Sequence, residues 1–377
     1  MRVAFYAPLK PPDHPVPSGD RRMAGLLVEA LTRAGHEVEL ASRLRSRDGA
    51  GDAAYQARLE RVGAAMAERL LRRYRARPPA QRPRAWLTYH LYYKAPDWIG
   101  PRVCEALGIP YLLAEASVAY KRSDGPWARG HQATLAALDR AAAVIALNPG
   151  DVGCLPDPAR VRLVKPFLDP APFRAAAARR DGARAELAAA HGLDPARPWL
   201  LAVAMMRPGD KLASYRLLAE ALQGVEDARW QLLIVGDGPA RQEVGSAFAW
   251  AGGGRIRFLG KAAPEALPDI YAASDLMVWP AVNEAYGMAL LEAQASGLPV
   301  LAGRSGGVAA IVRDGETGAL TPPEDSAALG EALRALLDAP EARRAMGQAA
   351  MDAVAQEHTL ESAGRRLDEI LRETAGP

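Results

Sequence analysis

At 377 residues the chain is longer than one hydrophobic core usually serves, so two domains are expected. A formal charge of +3 and an aromatic content of 6% argue against a general nucleic-acid binder, which would carry a strongly basic domain with interleaved aromatics. Cys104 and Cys154 are the only cysteines, so neither a disulfide framework nor a thiolate zinc site is supported, and a cytoplasmic compartment is expected.

The N-terminus enters a strand directly at Val3-Ala4-Phe5-Tyr6-Ala7-Pro8, with no basic and apolar leader and no window able to span a bilayer, so export and transmembrane anchoring are not expected. Further strands are predicted over 37–42, 85–88, 111–115, 143–147 and 161–164. They alternate with helical patterns, which implies a Rossmann-like sheet. Between the strands at 37–42 and 85–88, Tyr55, Leu59, Val62, Met66, Leu70 and Tyr74 recur at helical spacing while arginines crowd the remaining positions. The main reading is a core-packed helix with a solvated arginine face; docking of this 55–77 helix on an acidic acceptor or on anionic lipid, which would place the protein peripherally at the inner membrane face, is the minority reading. The loop Tyr89-His90-Leu91-Tyr92-Tyr93-Lys94-Ala95-Pro96-Asp97-Trp98 follows a strand at the ligand edge. Aromatic rings stack on sugar C–H faces and His, Lys and Asp give directional hydrogen bonds, so sugar contact is favoured, with His90 the best polar candidate. His131, at a helix start, reads as structural, and His14, His36, His191 and His358 have no partner legible in the sequence.

The Pro-rich segment 165–172 is the hinge candidate, and an Ala/Arg helical stretch then leads into a second set of strands. Trp199 to Val203 is followed by a loop holding Arg207 and Lys211, a guanidinium and an ammonium suited to a diphosphate. Strands at 230–235 and 255–259 end at Gly236 and Gly260-Lys261. Such glycines serve strand-to-helix turns whatever they bind. A buried strand over 276–279 leads through a loop to a helix from Met288 to Ala295, with Leu290, Leu291 and Ala295 inward and Gly297 closing it. At Gly287 the missing side chain lets a diphosphate approach the first-turn N–H groups, where the macrodipole presents roughly +0.5 charge. One turn further in, Glu292 can accept from both hydroxyls of a ribose, while Glu284 can reach the sugar side. Gly303-Arg304-Ser305-Gly306-Gly307 is a candidate source of further backbone donors.

The ordered segments MRPGDK, LLIVGDGP, RIRFLGK, YAASDLMVWP, NEAYGMALLEAQASGLPVLA and GGVAAIVRDGETGAL, covering Trp199 to Leu320, resemble glycosyltransferase family 4, the retaining enzymes of the GT-B fold. The resemblance implies an α/β chain of two Rossmann-like doubly wound domains facing a cleft. Residues 1–165 would bind the acceptor and 166–359 the nucleotide sugar, with the helix of 360–377 crossing back to pack on the first domain. It further implies transfer of a sugar from a nucleoside-diphosphate sugar to a hydroxyl of a glycan, lipid-linked or small-molecule acceptor. Glu284, Arg207 and Lys211 would be catalytic. Gly19, in a Ser18-Gly19-Asp20-Arg21 loop similar to the family's glycine loop, would bind the donor with Gly236, Gly260, Lys261, Tyr286, Gly287, Met288, Ala289 and Glu292. His90, Tyr93 and Glu115 would contact acceptor or sugar. No metal and no separate cofactor is implied, because the Asp-x-Asp pair of metal-dependent GT-A transferases is absent and the helix dipole with Arg207 and Lys211 offers the charge compensation instead; closure about the hinge near Pro166 would exclude water, which would otherwise hydrolyse the donor. The chain departs from the family at Ala114-Glu115-Ala116-Ser117, where many relatives read Thr-Glu-His-Ser. Ala116 therefore keeps open a nucleotide-sugar-binding homologue that no longer transfers. A GT-B sugar-nucleotide epimerase is the other rival.

Overall fold

Apolar runs bounded by glycine and proline turns become the strands of two all-parallel sheets. The computed structural model describes residues 1–16, 18–252 and 254–375. They divide into two compact units, Met1–Lys165 together with the described part of Leu360–Pro377, and Pro166–Thr359.

In the first unit the strands are β1 Arg2–Tyr6, β2 Glu37–Ser42, β3 Ala85–Leu91, β4 Tyr111–Ala116, β5 Ala143–Ala146 and β6 Val161–Leu163. Their order is β2-β1-β3-β4-β5-β6, so the chain reverses its direction of travel between β1 and β3. In the second unit β7 Trp199–Val203, β8 Gln231–Val235, β9 Ile256–Gly260, β10 Leu276–Trp279, β11 Val300–Gly303 and β12 Gly318–Thr321 run β12-β11-β10-β7-β8-β9, with the reversal between β7 and β10. Connections diverge at such a reversal and leave a crevice at the carboxyl ends of the strands, where open α/β sheets bind ligands.

The cores sit between sheet and helices. Trp199, Leu200, Tyr215, Trp230, Leu233 and Trp279 are fully or almost fully buried in the second unit, and Tyr6, Tyr74, Trp86 and Leu113 in the first. Each such side chain stabilises its unit by about 1.5–3 kcal/mol through burial. The C-terminal helix Leu360–Ala375 packs against the helix Gly19–Arg33 of the first unit, as the sequence led us to expect. Gly364 makes this possible, because a Cβ there would lie 2.6 Å from the carbonyl oxygen of Ala30. Arg33 pairs with Glu361 at 2.7 Å and His36 Nε2 lies 3.2 Å from Asp368, which gives His36 the partner its sequence context did not reveal.

Two local expectations are corrected. The helix Ala53–Arg75 buries Gln56, Leu59, Gly63, Ala67, Leu70, Leu71 and Tyr74, whereas Tyr55 and Val62 lie on its exposed face. The buried face also takes in a glycine: a Cβ on Gly63 would stand 2.3 Å from Trp98 Cβ, so the helix comes close to Trp98 at its smallest residue. The loop after β3 also splits. Its Asp97 is buried and accepts from Thr88 Oγ1 at 2.6 Å, Tyr111 Oη at 3.0 Å and the N–H groups of Ile99 and Gly100 at 2.8 Å. Burial raises its pKa, these donors satisfy it, and with the buried Trp98 it belongs to the core rather than to a sugar.

Candidate functional site

At the reversal in the second unit, the helix Asp210–Gln223 and the loop after β10 are stitched together residue by residue. Asn283 Nδ2 donates to Asp210 Oδ2 at 3.0 Å, Val282 N–H to Ser214 Oγ at 3.0 Å, and Lys211 pairs with Glu284 Oε2. The Trp279 indole N–H donates to the same Glu284 oxygen at 3.2 Å, and its ring takes Lys211 Nζ over its face at 5.5 Å and Tyr215 edge-on at 5.0 Å. Glu284 is thus a carboxylate held by one cation and one neutral donor on a rigid aromatic floor. Ala281 and Asn283 have φ of 58° and 48°, a region that costs a non-glycine residue about 1–2 kcal/mol, so this loop stores strain that its stitching holds in place.

Gly287, with φ 70° and ψ 48°, opens the helix Met288–Ala295. A Cβ on it would meet Leu290 Cδ1 at 2.9 Å, and its own carbonyl accepts from Leu290 at 2.8 Å. The N–H groups of Gly287, Met288 and Ala289 donate to no group among the described residues. Tyr286 Oη is enclosed without a hydrogen-bond partner. Inside the helix, Glu292 is buried and accepts from Tyr271 Oη at 2.8 Å. Tyr271 lies in Leu267–Ala273, and nothing in the sequence around either residue signalled the pair.

The glycine turns divide by function. A Cβ on Gly236 would stand 1.9 Å from Ala204 O, one on Gly238 2.3 Å from Met206 O and one on Gly306 1.9 Å from Glu284 O. These glycines let neighbouring loops touch backbone to backbone, which aligns the Arg207 loop beside β8 and braces Glu284 from behind. Gly307 N–H is spent on the carbonyls of Glu284 and Ala285, at 3.2 and 3.1 Å, so it is not the spare donor its sequence suggested. Gly260, in contrast, has open space where its side chain would be, and Lys261 beside it is exposed. Arg207 is exposed with no ion-pair partner among the described residues.

At the carboxyl edge of the first sheet, Gly19 opens the helix Gly19–Arg33, with Ser18 Oγ accepting from Arg21 N–H at 3.2 Å. Asp20 lies 3.0 Å from His90 Nδ1, a hydrogen bond that holds its carboxyl below the usual range. His90 and Glu115, on the adjacent strands β3 and β4, both have left-handed φ, 63° and 58°. Tyr93 stands edge-on to Trp127 at 5.9 Å. Ala116 is buried in the first core, so position 116 presents no polar group. Glu115 Oε1 accepts from Leu147 N–H at 2.7 Å, yet burial pushes its pKa from 4.5 to about 7. The folded chain therefore holds this proton more tightly than the unfolded chain, so the stability tied to it is full below the ordinary glutamate range and is lost as pH rises toward 7, by roughly 3 kcal/mol. Glu115→Gln, which keeps the acceptor for Leu147, is expected to melt increasingly above the parent between acid and mildly alkaline pH. A melting-temperature difference that stays flat with pH would show that Glu115 ionises normally.

The glycosyl transferases group 1 family pattern matches residues 197–339. A D-inositol 3-phosphate glycosyltransferase of Rhodococcus erythropolis is 32% identical over 271 residues, covering 68% of this chain and 59% of that protein. Residues 197–339 belong to the glycosyl transferases group 1.

The group 1 segment contains β7 to β12 and therefore Lys211, Glu284, Gly287 and Glu292, whereas Asp20, His90, Tyr93 and Glu115 lie outside it. An alpha-D-kanosaminyltransferase of Streptomyces kanamyceticus is 32% identical over 191 residues, which are 50% of this chain and 49% of that enzyme. The chain thus spans about half the length of these curated relatives. Over 99% of its length it superposes on 98% of a sucrose-phosphate synthase from Thermosynechococcus elongatus, with a TM-score of 0.72 at 21% identity. Anabaena HepE, solved in complex with UDP and glucose, gives a TM-score of 0.69 at 15% identity, covering 98% of this chain and 99% of that one. At this identity the likeness shows the fold, which is GT-B.

Proposed function

We propose that this chain transfers a glycosyl group from a nucleoside-diphosphate sugar to an acceptor hydroxyl, with retention at the anomeric carbon and without a metal. The observation that carries the reading is the Lys211–Glu284 pair beside the unspent N–H groups of Gly287, Met288 and Ala289, at the strand-order reversal of a group 1 segment. A diphosphate seated on those N–H groups adds negative charge beside Glu284, so Lys211 would turn from the carboxylate to the phosphate oxygens, with Arg207 supplying the second cation. Glu284, still held by Trp279, would then face the sugar and stabilise positive charge developing on its ring, while a phosphate oxygen takes the acceptor proton. Orientation and electrostatics would do the catalysis, and no protein nucleophile is invoked. Glu292 would hold the ribose, with Tyr271 fixing the carboxylate. The enclosed Tyr286 hydroxyl, Gly236, Gly260 and Lys261 lie at or just after the carboxyl ends of β10, β8 and β9 and would complete the donor seat.

The test is a thermal-shift screen of nucleoside diphosphates and their sugar conjugates followed by a turnover assay. A ligand at about a hundred times its dissociation constant stabilises the folded chain by roughly 3 kcal/mol. One base is expected to raise the melting temperature, and its sugar conjugate to be consumed faster when an acceptor is present. A conjugate that binds and is never consumed would instead support the binding-only homologue that Ala116 keeps open, and consumption without any acceptor would support an epimerase.

For the cytoplasmic face of a membrane we propose a weak peripheral contact through the helix Ala53–Arg75. No helix among the described residues is long and apolar enough to cross a membrane. On this helix Arg58, Arg61, Arg69 and Arg72 are exposed without ion-pair partners among the described residues, around Tyr55 and Val62 at 41% and 39% exposure. Each arginine near an anionic surface contributes about 1 kcal/mol, and salt screens it. Pelleting with phosphatidylserine vesicles is therefore expected at low salt and lost at high salt or on replacing these arginines with glutamate. Pelleting that ignores both changes would remove this contact.

A further inference from the structure

Lys94 and Arg122 are half-buried cations that share one aromatic shelf. Lys94 Nζ lies 5.7 Å from the Tyr93 ring centre and 5.0 Å from that of Trp127; the Arg122 guanidinium lies 5.9 and 5.1 Å from the same two rings. Both belong to the carboxyl edge of the first sheet, Lys94 in the loop after β3 and Arg122 in the segment after β4. Neither has a carboxylate partner among the described residues, and Arg122 Nε is enclosed with no acceptor at all. The nearby acids are engaged elsewhere. Asp48, whose N–H donates to Lys94 O, takes Gln56 Nε2 at 2.7 Å and the N–H groups of Ala50 and Gly51, and Asp124 takes Ser123 Oγ at 3.2 Å.

Two cations side by side with no carboxylate between them concentrate positive charge that an anion could neutralise. The ring contacts restrain both side chains through their carbon and charge while consuming none of their N–H donors. Those donors remain available to anion oxygens, the guanidinium in bidentate fashion and the ammonium as a point charge, and two positive charges match a dianion. We propose that Lys94 and Arg122, set on Tyr93 and Trp127, form a subsite for the phosphate of a phosphorylated acceptor. This rests on the glycosyl-transfer reading and narrows it: the acceptor hydroxyl belongs to a molecule that carries its own phosphomonoester, and the subsite selects for that group.

Isothermal titration of the full chain with glucose 6-phosphate, glucose and inorganic phosphate tests it. The phosphoester is expected to bind more tightly than inorganic phosphate, and glucose not measurably. Lys94→Ala and Arg122→Ala should each weaken the ester about tenfold, the loss of a charged hydrogen bond, and the double variant should abolish binding. Lys94→Arg, which keeps charge and shelf contact, should retain it. Unchanged ester affinity in both alanine variants, or inorganic phosphate binding as tightly as the ester, overturns the subsite. The nucleoside-diphosphate thermal shift, read on the same proteins, separates the two readings. If it is present in the parent and no ester binds, the subsite alone fails; if it is missing, the glycosyl-transfer reading fails.

Discussion

Glu284→Ala is expected to lower transfer by about a thousandfold while leaving nucleoside-diphosphate affinity unchanged or tighter. The rate loss follows from removing a preorganised charge beside the developing positive ring, an effect on the order of 10²–10³ for one such group. Affinity is spared because Lys211, now unpaired, keeps its ammonium for the phosphates. Lys211→Ala is the complement. It leaves the Glu284 carboxylate without its cation beside an incoming diphosphate, so affinity should fall by tenfold or more, on the scale of a charged hydrogen bond plus repulsion. Turnover of Glu284→Ala within tenfold of the parent, with isothermal titration showing no difference between the two variants, would remove both assignments.

Gly236→Ala should destabilise the second unit by about 3–5 kcal/mol and lower its melting temperature by roughly 10 °C. With φ at 140° the position disfavours any side chain, and the new Cβ would meet Ala204 O at 1.9 Å with the carbonyl carbon behind it at 2.9 Å. Backbone cannot yield there, because Ala204 N–H is bonded to Val235 O and Met206 N–H to Asp237 O, at 3.1 and 3.0 Å. The Arg207 loop would have to move away from β8. Gly260→Ala is the internal control: its φ of 70° is unfavourable, but nothing lies within 4 Å, so the cost is conformational only, about 1 kcal/mol. Equal melting temperatures for the two variants would show that the Gly236 contact is not what holds this loop.

Part of this site was legible because its signal is local. The helix Met288–Ala295 appears with the bounds its apolar spacing predicts, its leading glycine adopts the left-handed conformation only glycine takes cheaply, and Gly297, at φ 72°, closes it. The Gly236 and Gly306 turns were recognisable as turns, yet which carbonyl each one admits depends on a loop from another part of the chain. The aromatic loop after β3 was a harder case. Tyr93 and Lys94 look outward to a shelf completed by Trp127, while Asp97 and Trp98, a few positions on, are core; one polar and aromatic composition served both ends. The helix Ala53–Arg75 misled for a related reason. Its spacing of large apolar residues includes Tyr55 and Val62, which are exposed, while Gly63 and Ala67 are buried and Gly63 makes a close approach to Trp98.

What the sequence by itself determined was the alternation of strands and helices, the two-unit plan and the carboxyl-edge positions of Arg207, Lys211, Glu284 and Gly287, because hydrophobic period and glycine φ act over a few residues. Only the tertiary structure decided that Lys211 meets Glu284 across 73 positions, that Tyr271 holds Glu292 across 21, and that Asp20 reaches His90. Such pairings depend on which strands become neighbours in the sheet, and strand order is settled by packing over the whole domain rather than by any local run of residues.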